Sequence, residues 1–265
     1  AVDNTCMALG VRGLKEGVAY TSLGSSSWIA VTSTKPIVDR DTKPFVFAHA
    51  RKGYYTCAVS IFSAGNSFRW IRDNLCRDLG DGTDTYDAMN RMAENVPPGS
   101  NGVMFNPTLA GGSAQEPSPG LKGGFMGLSL STTREDLVRA SMEGIAMSLR
   151  CTLDILMTQT TITGEMLICG GGSKSAIWRQ IFADIYNLPV LKTNIDQNAA
   201  SLGAAALAAN GCGLWDGYGR IPHIHRTEEL SMPDPNANAL YETLLPVYRR
   251  WAGYLAELSG MMTKA

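Results

Sequence analysis

Apolar positions change their period along this chain. Residues 17–33, GVAYTSLGSSSWIAVTS, read as two strands around a turn at Gly24-Ser25-Ser26. The segments 45–50 and 54–61 alternate as a second hairpin, with Arg51-Lys52-Gly53 at its turn. Before them, Asp3 can N-cap a short helix running to about Arg12. Two helices are predicted over 65–78 and 83–94, then a short strand over 103–105. The Gly/Pro/Ser-rich stretch 107–124 is long enough for a loop with a role of its own. Thr132 or Thr133 caps an amphipathic helix reaching Met157.

The second half alternates strand and helix. An apolar strand at 165–169 runs into Gly170, Gly171 and Gly172. A helix over 174–186 follows, in which Ile177, Ile181 and Ile185 recur every four residues. A strand over 190–193 and a helix over 199–209 come next. The tail 210–233 reads as irregular, and Asp234 opens a last helix to about 258. Antiparallel hairpins followed by β-α units predict a mixed-sheet α/β or α+β lobe.

Composition narrows the function. The chain has 265 residues, 45% hydrophobic and 18% charged, enough for a sizeable core in one domain or two lobes. A net charge of −1 with interspersed signs leaves no footprint for nucleic acid or an acidic membrane surface. No apolar run approaches the roughly 18–20 residues of a membrane span. The six cysteines include no C-x-x-C pair and no signal peptide precedes them, so reduced thiols and the cytoplasm are expected. The opening AVDN lacks an initiator Met, and the chain is expected to be part of something longer.

Three features carry candidate chemistry. A strand ending in Gly170-Gly171-Gly172 before a helix offers bare backbone N–H groups and a positive dipole end, which suits phosphate or a nucleotide. It is not a dinucleotide fingerprint, because Ser175 stands where the third glycine belongs. It is not a Walker loop either, because Lys174-Ser175 lacks the glycine before it. The alternative is a tight turn that lets strand and helix pack closely. Gly24-Ser25-Ser26-Ser27 is a second glycine–hydroxyl turn, read either as a phosphate cradle or as a plain serine-rich tip. Asp3, at a helix N-terminus, can take a proton from a hydroxyl nucleophile or help place Mg²⁺, or it can simply cap.

Other motifs lead nowhere. The acids of DLGDGTDTYD lack the order and closing Glu of a calcium loop. His223 and His225 have no nearby Cys to make a metal set. No Ser/His/Asp arrangement supports hydrolysis. Trp70, Trp178 and Trp251 read as packing residues on helices, and Cys169 as a buried strand residue.

GGGSKSAIWRQIFADIYNLPV followed by NAASLGAAALAANGCGLW is similar to the adenosine and second connecting segments of the FGGY carbohydrate kinases, the family of xylulokinases and glycerol kinases. DNTCMALGVRGLKEGVAYTSLGSSSWIA, NGVMFNPTLAGG, KGGFMGLSLSTTREDLVRASMEGIAMSLR and DPNANALYETLLPVYRRWAGYL resemble further blocks of that family in the same order. The resemblance implies a ribonuclease H-like lobe, as in actin, hexokinase and the Hsp70 ATPase. Residues 1–265 would form the C-terminal lobe, with the N-terminal lobe outside this chain. It implies Asp3 as general base toward a sugar hydroxyl, and Asn4 and Trp28 at the sugar. Gly24, Ser25 and Ser26 would hold the γ-phosphate, Gly170, Gly171 and Gly172 the adenosine, and Ser175 would lie near the adenine. ATP and Mg²⁺ would be the cofactors; a small sugar and the N-terminal lobe would be the partners, and a homodimer is compatible with all of this. The sequence departs from the family at 111–115, where G-E-R-x-P is common, at Asn198 for Glu, at Ser25 for Thr and at Thr132 for His. A non-catalytic actin-like or chaperone-type nucleotide-binding lobe, or a degenerate kinase, is the alternative. Asp3-Asn4 separates the two, since only a sugar kinase needs that base and its neighbour.

Overall fold

A computed structural model describes residues 3–80 and 83–262. Helix α1 (Asp3–Gly10) precedes the strands β1 (Ala19–Leu23), β2 (Ser27–Ser33), β3 (Phe45–Ala48) and β4 (Tyr55–Ile61). Helices α2 (Gly65–Leu75) and α3 (Thr83–Glu94) follow, then the hairpin β5 (Met104–Asn106) and β6 (Gly124–Met126). After α4 (Arg134–Met157) come β7 (Met166–Cys169), α5 (Ala176–Tyr186), β8 (Val190–Thr193) and α6 (Ala199–Gly211). The chain closes with α7 (Ile221–Ile224), β9 (Thr227–Ser231) and α8 (Pro235–Met262).

One seven-stranded sheet runs β3-β4-β2-β1-β7-β8-β9. The β1–β4 pairings are antiparallel, β1–β7 and β7–β8 are parallel, and β9 returns antiparallel on β8. This is the mixed sheet expected from hairpins followed by β-α units. Along β2, Ile29 and Val31 face a large core shared with α4 and α5, while Ala30 faces α1. On the α1 face Ala30 and Ala58 of the sheet share a cluster with Ala8 and Ala199, beside the larger Tyr20 and Leu167. Small side chains let α1 and α6 lie close. A Cβ on Gly10 would overlap the Ala199 carbonyl, and one on Gly203 would overlap the Cys6 carbonyl.

Two helix starts show why the chain folds as it does. Thr133 accepts from Asp136 N–H, and the Asp136 carboxylate accepts Thr133 N–H at 2.8 Å, a reciprocal box that fixes the start of α4. At α8, Asp234 Oδ1 accepts Asn236 N–H at 2.8 Å, and Pro235 takes the first helical place, where its missing N–H costs nothing. Glu143 in mid-α4 is buried and fully engaged. It pairs with Arg139 Nε at 2.7 Å, and accepts Tyr241 OH at 2.7 Å and Ser100 Oγ at 2.8 Å. That cluster staples α4 to α8 and to the turn before β5.

Several boundaries differ from expectation. Helix α1 stops at Gly10, because Arg12 takes a left-handed φ of 66°. Helix α2 ends at Leu75, and α8 runs on to Met262 through Pro246. The tail read as irregular holds α7 and β9. All but the last side chain of β9 are exposed, so an edge strand forms there without the alternating apolar signal. No helix among the described residues is long and apolar enough to cross a membrane.

Candidate functional site

The glycine turn begins where β7 ends. Gly170 takes φ 94° and ψ 176°, residues 171–174 make a single tight turn, and Ser175 caps α5 by accepting Trp178 N–H at 3.2 Å. The three glycines serve different ends. A Cβ at Gly170 would sit 2.6 Å from the Leu23 carbonyl oxygen, and one at Gly172 would overlap the Leu23 side chain. Those two are required by packing of the turn on β1, as the tight-turn alternative holds. A Cβ at Gly171 would meet nothing nearer than Gln197 Nε2, at 4.0 Å. Only Gly171 leaves backbone bare without a need of the fold.

The turn is held from outside. Asp196 Oδ1, in the loop after β8, accepts Gly170 N–H at 2.7 Å and Ser173 Oγ–H at 2.9 Å. Beneath it the buried Arg179 guanidinium donates to the Ser173 carbonyl and pairs with Glu229 on β9. The strand missing from the sequence reading thus props the glycine turn.

The hairpin tip is bolted as firmly. Gly65 N–H donates to the Gly24 carbonyl at 2.9 Å, while Ala64 and Asn66 N–H both donate to the Ser25 carbonyl at 3.0 Å. Its carbonyls are thereby turned toward α2, and the Ser25 and Ser26 side chains stay exposed.

Between tip and turn lies a cleft of about 490 Å³. Leu23, Gly24 and Ser25 line it from the hairpin, and Gly171, Gly172 and Ser175 from the glycine turn. Phe68 of α2, Tyr86 of α3 and Trp178 of α5 form an aromatic wall, with Phe68 centred 5.9 Å from Tyr86 and 4.8 Å from Trp178. Gly65, Asn90, Gln197 and the charged Lys174, Arg69 and Asp87 complete the lining. Of the residues expected at a nucleotide, Gly170 and Ser26 adjoin this cleft without lining it.

Asp3, Asn4 and Trp28 do not line the cleft. They belong to the α1 side of the sheet. Asp3 is exposed and accepts Asn4 N–H at 2.8 Å. Half-buried Trp28 donates its indole N–H to Tyr20 OH at 3.1 Å. Burial drives the Tyr20 phenol far above its ordinary range; the Trp28 bond opposes this, and the Cys169 thiol and Asp3 carboxylate add to it. Tyr20 therefore stays protonated beside Asp3. Burial also pushes the Cys169 thiol up to about 12, with Asp196 adding to the shift, so this cysteine is an inert strand residue. His225 lies between the Gly10 carbonyl and Thr193 Oγ1, in a structural bridge. Among the described residues no cluster of three His, Cys, Asp or Glu is arranged to hold a metal.

Sequence reasoning passed over Asp196, Asn90, Gln197, Phe68 and Tyr86. Each is a single residue in a loop or helix with no motif spacing around it. Asn90 meets Ser175 across 85 positions of chain.

The model of the FGGY family of carbohydrate kinases, C-terminal domain, matches residues 19–212. The chain belongs to the FGGY family. Its matched span includes the hairpin tip, the glycine turn and Asp196. The chain is 29% identical to the xylulose kinase of Lactococcus lactis over 99% of its own length and 52% of the relative's. It is 28% identical to the gluconokinase of Bacillus subtilis, over 94% of this chain and 49% of that one. The crystal structure of ligand-bound xylulose kinase from Lactobacillus acidophilus superposes with a TM-score of 0.89 at 26% identity, covering 99% of this chain and 52% of that one. The chain thus spans about half the length of the FGGY kinases it matches. Its fold is the ribonuclease H-like one of the actin and hexokinase ATPases, as expected.

Proposed function

We propose that this chain forms the nucleotide-binding, base-carrying lobe of an ATP-dependent sugar kinase, acting on a ketose such as xylulose or a related polyol. The observation that carries this is convergence. Two glycine–hydroxyl turns far apart in sequence, Gly24-Ser25 and Gly171-Gly172, face one cleft with an aromatic wall at its side. Bare amides and hydroxyls suit phosphates, and flat rings suit a base. ATP fits such a cleft: its phosphates would lie toward Ser25 and Ser26 and its adenosine along Gly170–Gly172 and Ser175. Mg²⁺ arriving with ATP neutralises phosphate charge.

In this reading Asp3 takes the proton of the sugar hydroxyl as that oxygen bonds to the γ-phosphorus and the bridging bond to ADP breaks. Asn4 and Trp28 would orient the sugar on the same side of the sheet. The exposed Asp3 carboxylate would do this while also accepting the Asn4 N–H at 2.8 Å. The named relatives are about twice as long as this chain, and an N-terminal lobe would supply the rest of the sugar pocket and the first phosphate motif. The chain alone is then expected to bind nucleotide weakly and turn over little, and efficient sugar-dependent turnover by it would sink that expectation. The cytoplasm is the compartment that fits this role. The non-catalytic alternative is not favoured, since the relatives are named as sugar kinases.

Calorimetric titration of wild type and Gly171→Val with Mg-ATP, Mg-ADP and NAD tests the site. Binding selective for the adenine nucleotides and lost in the variant is expected. Binding of NAD alike, or binding that survives the valine, would remove the cleft from this role.

A further inference from the structure

Within the cleft, one polar side chain is set against the aromatic wall with its chemistry already half committed. Ser175 Oγ donates to Asn90 Oδ1 at 2.8 Å while accepting Trp178 N–H at 3.2 Å. A serine has one proton, so that proton is engaged, and the Asn90 carboxamide oxygen is turned toward α5. What Asn90 retains for the cleft is its NH₂ group, a donor. The Trp178 indole N–H is likewise engaged, on the Met142 carbonyl at 3.1 Å. The base end of the cleft therefore presents flat apolar surface from Phe68, Tyr86 and Trp178, with a donor at its edge.

A donor needs an acceptor opposite it, and a ring slotted among aromatic walls can offer one only from its rim. With the phosphates at the Ser25 tip, the rim remote from the ribose is the one that reaches the aromatic end. On adenine that rim carries the unprotonated N1, an acceptor; 1-deazaadenine keeps the N6 amino group and has a C–H in place of N1, so it differs only in lacking that acceptor. We propose that Asn90 selects the nucleobase by donating its side-chain N–H to the adenine ring. The assignment rests on the nucleotide reading of the cleft and adds to it the residue that discriminates among nucleotides. Ser175 is the positioning residue: it holds the amide the right way round and touches the base less directly.

Asn90→Asp in the intact protein separates this role from a structural one. Aspartate keeps an oxygen for the Ser175 hydroxyl but replaces the donor with an acceptor. Wild type should favour ATP over 1-deaza-ATP by about tenfold or more in kcat/KM, the scale of one directed hydrogen bond lost with its donor left unpaired. In Asn90→Asp the ATP:1-deaza-ATP ratio should fall about tenfold or more, with sugar KM unchanged. Asn90→Ala, which removes the donor without adding charge, should lower the ratio toward one and serves if the aspartate variant does not fold. A variant that weakens both nucleotides equally, leaving the ratio as in wild type, would show a merely structural asparagine and overturn the proposal. Wild type that binds neither nucleotide would remove the nucleotide reading and this proposal together.

Discussion

The Asp196 carboxylate accepts the Gly170 N–H at 2.7 Å, so the loop after β8 fixes the shape of the turn after β7. The same oxygen holds the Ser173 hydroxyl at 2.9 Å. Two donors of a turn that must stay rigid around a ligand thus depend on one side chain from a neighbouring strand.

Asp196→Ala should leave the partly buried Gly170 amide without a partner, at a cost of about 1–3 kcal/mol in unfolding free energy. Nucleotide affinity should drop about tenfold, because binding must then also order the turn. Asp196→Asn keeps an acceptor and should lose less of both. Chemical denaturation and calorimetry on the pair check this, and equal losses in Ala and Asn variants would tell against the carboxylate latch.

The glycines of the turn should separate cleanly. Gly171→Val should keep near-native stability, within about 0.5 kcal/mol, because its side chain enters open cleft, yet it should abolish nucleotide binding. Gly170→Ala should cost about 1–3 kcal/mol, because its φ of 94° is strained for a side chain and Leu23 is in the way. Thermal melts with and without Mg-ATP distinguish the two, and the reverse order of effects would refute the division.

Close contact of α1 with α6 sets where Asp3 stands. Gly203→Ala places a methyl against the Cys6 carbonyl and should destabilise by about 1–3 kcal/mol while pushing α1 outward. Sugar phosphorylation should fall further than nucleotide affinity, since Asp3 and α1 do not line the cleft. Unchanged kcat in Gly203→Ala would mean that α1 tolerates the shift.

Stability should fall in mild acid partly through His225. Burial holds its imidazole below the ordinary value, the Gly10 carbonyl opposing this and the Arg12 guanidinium adding to it. Its Nε2–H donates to Gly10 O at 2.7 Å and its Nδ1 accepts from Thr193 Oγ1 at 2.9 Å, which suits the neutral ring. With the folded pKa depressed, the contribution is intact at neutral pH. It is lost as pH drops below about 6.5, where the unfolded chain takes up a proton that the folded ring resists. Urea midpoints at pH 7.5 and 5.5 should therefore differ more in wild type than in His225→Gln. Parallel pH slopes would clear His225 of the effect.

Much of this protein is written in local pattern. Alternation at 17–33 and 54–61 determined the two hairpins, a threonine at 132 or 133 marked the start of α4 to within a residue, and the glycine turn marked itself between a strand and a helix. Such signals survive because strand period, helix caps and left-handed turns depend on neighbours in sequence. The tertiary structure alone decided the rest. β9 forms because β8 offers it an unpaired edge, although nearly all its side chains face solvent. Gly170 and Gly172 are needed for packing while Gly171 is not, and that difference lies in where Leu23 and Gln197 come to rest. Asp196 and Asn90 became site residues through contacts spanning 26 and 85 positions. No local spacing can announce such a contact, because both partners are ordinary residues until the sheet and helices bring them together.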